Sequence, residues 1–232
     1  MQADPTTPIP GGRRRLILVR HGEVESHRGD HPLTEAGRDQ AERAGRRLAT
    51  RGLGSVRLLS GATRRARETA DGVRAGLVAG DDSVHVTAPQ VAFALRNPDL
   101  YLAGERVDMV SSAEAFAAQV PGMSPEEVLA VPFYSGFLGA PDRIAHWVDS
   151  ARPPGDDVTR VAARIVDFAR SLGDRGPAAP ETVLAVTHSP VLRAVAVALL
   201  GKDPGEPAYL HGYSVVLSDE DRPVAAAFDP FG

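Results

Sequence analysis

The chain has 232 residues, no cysteine, one lysine (Lys202) among 26 basic residues, and a formal net charge of −4. Disulfides, thiolate metal sites and cysteine nucleophiles are excluded, and Lys202, in Gly201-Lys202-Asp203, lacks the glycine spacing and following Ser/Thr of a phosphate-cradling loop. With that lysine set aside, a cation that recognises an anionic substrate must be arginine or histidine, and the acidic balance argues separately against nucleic-acid or anionic-membrane binding.

Along the chain, Met1–Gly12 is polar, rich in proline and glycine, and has no apolar signal region. Residues 1–13 read as a disordered leader to a soluble cytoplasmic protein, and 14–232 as one domain. No run approaches the roughly 18 apolar residues of a membrane span. The first strand is expected at Arg15–Val19, where Leu-Ile-Leu-Val is a continuous apolar run short enough for a strand buried on both faces, and it stops at Arg20-His21-Gly22. From Thr34, a candidate N-cap, Ala41, Ala44 and Leu48 recur at helical spacing until Gly52. A strand at Val56–Leu59 leads into an arginine-rich helix to about Val78, and a third strand is expected at Val84–Thr87. Residues 96–154 then depart from the pattern, helical in patches between prolines. A helix through Val158, Ile165 and Leu172 follows, then a β-branched strand, Thr182–Val186, that stops at Thr187-His188. Ser189-Pro190 opens a helix that ends at Gly201. Val215–Leu217 and Val224–Phe228 close the chain, the latter as a sheet-edge strand open to pairing in a homodimer. The alternation implies an α/β three-layer sandwich with a mostly parallel central sheet flanked by helices, and a helical insertion at 96–154 as cap or lid.

Ligands of such sheets bind beyond the carboxyl ends of the strands. Two strands end in histidine, His21 and His188, and a third delivers Arg64, Arg65 and Arg67 at the start of its helix. With Arg20 they form a cationic crevice suited to a phosphate dianion. A neutral imidazole can attack phosphorus, giving a phosphohistidine that water hydrolyses. Its other ring nitrogen must be held as a donor, and a carboxylic acid is wanted to protonate an alkoxide leaving group.

Leu18-Val-Arg-His-Gly-Glu23, Pro32-Leu-Thr-Glu-Ala-Gly37, Arg64-Arg-Ala-Arg-Glu-Thr-Ala70 and Val186-Thr-His-Ser189 resemble the ordered motifs of the histidine phosphatase superfamily, in its phosphoglycerate-mutase-like branch. The resemblance implies that Arg20 binds phosphate, that His21 is phosphorylated, and that Arg65 and His188 are the second arginine and second histidine. Ser189 and His27 would complete substrate binding, His27 standing where many members carry asparagine. The general acid departs from the family. Leu95-Arg96-Asn97 puts an amide where members often place glutamate, and Asp99 is the candidate replacement, with Glu105 and Asp108 behind it. A metal site built on His21, His27 and His31 is disfavoured by Arg20 and Arg28 beside it. The expectation is a phosphatase for a small phosphomonoester, without metal or cofactor. The alternatives are mutase-type phosphoryl transfer and a catalytically weak module that binds a phosphorylated ligand.

Overall fold

The computed structural model describes residues 15–174, 181–217 and 223–231. The expected leader at 1–13 lies outside the described residues. The central sheet has six strands: β1 (Arg15–Arg20), β2 (Ser55–Ser60), β3 (Gln90–Val91), β6 (Glu181–Thr187), β7 (Gly212–Leu217) and β8 (Pro223–Phe228), in the order β3-β2-β6-β1-β7-β8. The first four run parallel, while β7 and β8 are antiparallel additions at one edge. Side-chain alternation along the strands sorts the core into two layers. Ile17, Val19, Leu184 and Val186 face helices α1 (Glu35–Ala49) and α2 (Arg64–Gly80), while Leu16, Leu18, Val183 and Ala185 face α7 (Val158–Ser171) and α8 (Ser189–Leu200).

The helix ends follow local chemistry. The Thr34 hydroxyl accepts from Gly37 N at 2.9 Å and caps α1. Asp157 caps α7, and Pro190 opens α8, which Gly201 closes at φ 74°. In α2 the Thr63 side chain makes no capping bond; Asp30 takes that role from a distant loop, accepting from Arg64 N at 2.8 Å.

Two expectations are corrected. The strand expected at Val84–Thr87 is a single bridge, Val86 to Val56, and the pairing of strand β3 lies further on at Gln90–Val91. The Thr87 hydroxyl accepts from Leu58 N at 3.1 Å in place of a backbone carbonyl, and Pro89 has no N–H to continue the ladder. The 96–154 segment is also not purely helical. It begins with a hairpin, β4 (Leu100–Leu102) and β5 (Glu105–Val107), turned by Ala103 and Gly104 at φ 51° and 88°. Four short helices follow: α3 (Ala113–Ala117), α4 (Pro125–Ala130), α5 (Pro132–Gly139) and α6 (Arg143–Asp149). Pro125 and Pro132 open helices rather than break them. Phe116, Tyr134, Phe137 and Trp147 are buried in a core continuous with the α7/α8 side of the sheet, so the insertion is fused to the sandwich.

Candidate active site

Strand register assembles the site. β1 and β6 pair in parallel with Arg20 opposite Thr187, so the next residues, His21 and His188, leave the sheet side by side. His21 N donates to Thr187 O at 3.0 Å, and the two imidazole centroids lie 5.5 Å apart in an edge-on arrangement. Residues 22–33 fold back through a Val24–Leu33 bridge that brings His27 to 5.7 Å from His21. Glu68 on α2 pins that loop by accepting from Leu33 N at 2.8 Å. Thr69, one turn after Arg65, accepts from Gly22 N at 2.9 Å and donates to Arg65 O at 2.6 Å, fixing the residue beside His21. Gly61 is needed for space, since a β-carbon there would sit 3.1 Å from both His188 Nε2 and Leu95 O.

These residues line a cavity of about 380 Å³ that Arg20, His21, His27, Arg65, His188 and Ser189 share. All the groups expected of the phosphate site are therefore brought together, apart from the acid. The Nε atoms of Arg20 and Arg65 and both ring nitrogens of His188 are buried without a protein hydrogen-bond partner. The two guanidinium Nε–H groups and the single ring N–H of neutral His188 are unpartnered donors of the kind a phosphate dianion satisfies. Among the described residues no group of three or more histidines or carboxylates is placed to hold a metal ion.

Burial first, and then the neighbouring Arg65, holds His21 and His188 well below the ordinary histidine range; the same causes bring His27 down to about 4. All three are neutral at pH 7. A histidine kept neutral by the fold but free to charge in the unfolded chain makes the unfolded state bind more protons below about pH 6.5. Stability from these groups is complete above that pH and is lost as pH falls toward 4. The melting temperature is accordingly expected to drop between about pH 6.5 and pH 4.5, and saturating phosphate to reduce the drop by binding the charged cradle. A flat melting temperature across the window would contradict this arrangement.

Asp99 is the correction. Its carboxylate is bound by Arg96 (Nη2 at 2.6 Å) and by Arg106 (Nε at 2.5 Å), and these partners hold it below the usual carboxylate range against the opposing effect of burial. It does not line the cavity. Its backbone N donates to Asp156, which also binds Arg164, so Asp99 ties the insertion's hairpin to α7. Asn97 does line the cavity, with Oδ1 buried and unpartnered.

Glu206, Asp142 and Arg143 also line the cavity and were not expected from the sequence. Glu206 bridges Arg20, at 2.7 Å from Nη2, and the Ser189 hydroxyl, which donates to it. Tyr209 lies under the Arg20 guanidinium, 4.2 Å from ring centroid to carbon. The signal for this loop is strand direction: β7 is antiparallel, with Gly212 opposite Val19, so the loop entering it starts at the carboxyl edge where the histidines stand.

The model of the histidine phosphatase superfamily, branch 1, matches residues 16–84 and 136–227. The chain belongs to that superfamily. The unmatched stretch, 85–135, contains Asn97, Asp99 and most of the insertion. Among solved structures, the chain is similar to YhfR of Bacillus stearothermophilus, with 26% identity, 94% of this chain and 100% of that chain covered, and a TM-score of 0.56. A mycobacterial glucosyl-3-phosphoglycerate phosphatase in complex with inorganic phosphate shares the fold at 22% identity, with 93% and 96% covered and a TM-score of 0.56. Among curated proteins, the mitochondrial serine/threonine-protein phosphatase Pgam5 of Drosophila persimilis is 41% identical over 66 residues, 27% of this chain. The matched stretch spans about a quarter (23%) of that relative's length.

Proposed function

We propose that this histidine phosphatase hydrolyses a small phosphomonoester through a phosphohistidine on His21, without a metal ion. The observation that carries the reading is the contact of His21 Nδ1 with Gly22 O at 2.8 Å. A carbonyl can only accept, so Nδ1 holds the proton and Nε2 keeps its lone pair. Low proton affinity keeps that ring neutral at physiological pH. Arg20 and Arg65 border the same space and balance the charge that spreads over the phosphoryl oxygens, and the neutral His188 beside them can donate one hydrogen bond. Hydrolysis of p-nitrophenyl phosphate in excess chelator, inhibited by orthovanadate in competition with substrate, is the expected result. Activity that vanishes in chelator and returns with a divalent cation would overturn the metal-free reading; no hydrolysis at all would overturn the activity.

A further inference from the structure

Resting on the phosphohistidine reading and deepening it, we infer that the substrate is the phosphate ester of a small phenol, whose leaving group departs as an anion without first receiving a proton.

Two independent observations carry this. The first is what the carboxyl, imidazole and amide groups lining the cavity are already doing. Asp142 is gripped by Arg193 at 2.8 Å through both oxygens, and one of them also caps α6 by accepting from Ala145 N at 2.9 Å. Those contacts hold it below the usual carboxylate range. Glu206 places one oxygen on Arg20 and accepts the Ser189 hydroxyl with the other. His27 and His188 are neutral beside Arg65, and Asn97 offers an amide, which has no proton to give at neutral pH. The guanidinium groups of Arg20, Arg65 and Arg143 keep their protons at any working pH. Among the described residues that line the cavity, both carboxyl groups, Asp142 and Glu206, are already engaged by arginine, and neither is left free to face an alkoxide. A phenolate, with a conjugate acid pKa of about 10, leaves without that help far more readily than an alkoxide.

The second observation is the apolar part of the cavity lining. Met109, Val110, Phe137, Pro141, Ile144 and Pro190 form it. Side chains of this kind match the face of an aromatic ring, while Asn97, Ser111, Asp142, Arg143 and Glu206 supply the polar remainder of the lining. The cavity of about 380 Å³ suits one ring with its phosphate.

The chemistry balances without a further reactant. The Nε2 lone pair of His21 forms the N–P bond as the P–O bond to the aryl group breaks, and the aryl oxygen keeps the electron pair and leaves as phenolate. Water then attacks phosphorus, the N–P pair returns to Nε2, and both water protons leave with the phosphate, released as dihydrogen phosphate.

The test is kcat/KM at pH 7 for a series of substituted phenyl phosphates and O-phospho-L-tyrosine against glycerol 3-phosphate and O-phospho-L-serine. We expect aryl esters to exceed alkyl esters by about 100-fold or more, with a steep dependence on leaving-group pKa. Asn97→Glu, which installs a carboxyl group in the cavity wall, should raise alkyl turnover selectively and flatten that dependence. The series on the unaltered protein stands even where the variant fails to fold. Alkyl and aryl esters of equal rate, with a flat dependence, would overturn the inference. Loss of that alkyl activity in Glu206→Gln would then identify Glu206 as the proton donor. Failure of the underlying reading shows differently, as steady aryl turnover with no phosphoryl group captured on His21.

Discussion

His21→Ala is expected to lower kcat/KM for p-nitrophenyl phosphate by about 10⁴-fold or more, with inorganic phosphate still bound and circular dichroism unchanged. Removing the ring removes the atom that attacks phosphorus, and no neighbour replaces it. His188 sits 5.5 Å away centroid to centroid, buried, with Gly61 packed close to its Nε2. His27 lies 5.7 Å from His21 and enters from the 22–33 loop rather than a strand end. The anion cradle survives, because Arg20 and Arg65 are set by β1 and α2 independently of the imidazole. The diagnostic is therefore lost turnover with retained phosphate affinity. Near-normal turnover in the variant would exclude His21 as nucleophile.

Gly76→Ala is expected to destabilise the protein by about 2 kcal/mol or more, lowering the melting temperature by roughly 5–10 °C. An alanine inside a helix normally gains about 1 kcal/mol over glycine, so the sign itself is informative. Here a β-carbon at Gly76 would overlap the carbonyl oxygen of Glu42 on α1 and lie 2.9 Å from Arg46 N. Across the contact, one at Gly45 would overlap Val73 O and approach Leu77 N at 2.8 Å. Both obstacles are backbone, so relief requires the helices to separate. Separation moves α2, which carries Arg65 and Thr69 into the site, so kcat/KM should fall along with stability. A melting temperature equal to or above that of the unaltered protein would show that the crossing is looser than described.

The parts of the fold legible in the sequence were those with local causes. The apolar runs ending in Arg20-His21 and Thr187-His188 are buried strands, and pairing in register brings their ends together. Ser189-Pro190 and Gly201 bound a helix because the missing N–H and the left-handed backbone act within one turn. What was not legible depended on partners far along the chain. Gly72, Gly76 and Gly80 recur every four residues on α2, yet only the crossing with α1 explains why glycines sit inside a helix. The third strand was misplaced because the Thr87 hydroxyl and Pro89 interrupt a ladder that Val84–Thr87 otherwise suits. Asp99 is an exception: Arg96 and Arg106, three and seven residues away, bind its carboxylate, but only its long-range tie to Asp156 shows that it is held outside the cavity. Glu206 was missed for the converse reason: the direction of β7 brings it to Arg20 across 206 − 20 = 186 positions.

Capture of the covalent intermediate tests the central claim most directly. The protein would be mixed with phosphorus-labelled phenyl phosphate, quenched in alkali within the turnover time and digested. The phosphohistidine account predicts an acid-labile, alkali-stable label on the peptide containing His21, chased by unlabelled substrate at the rate of turnover. Turnover under the same conditions without a label on that peptide, or with the label on another residue, would contradict it.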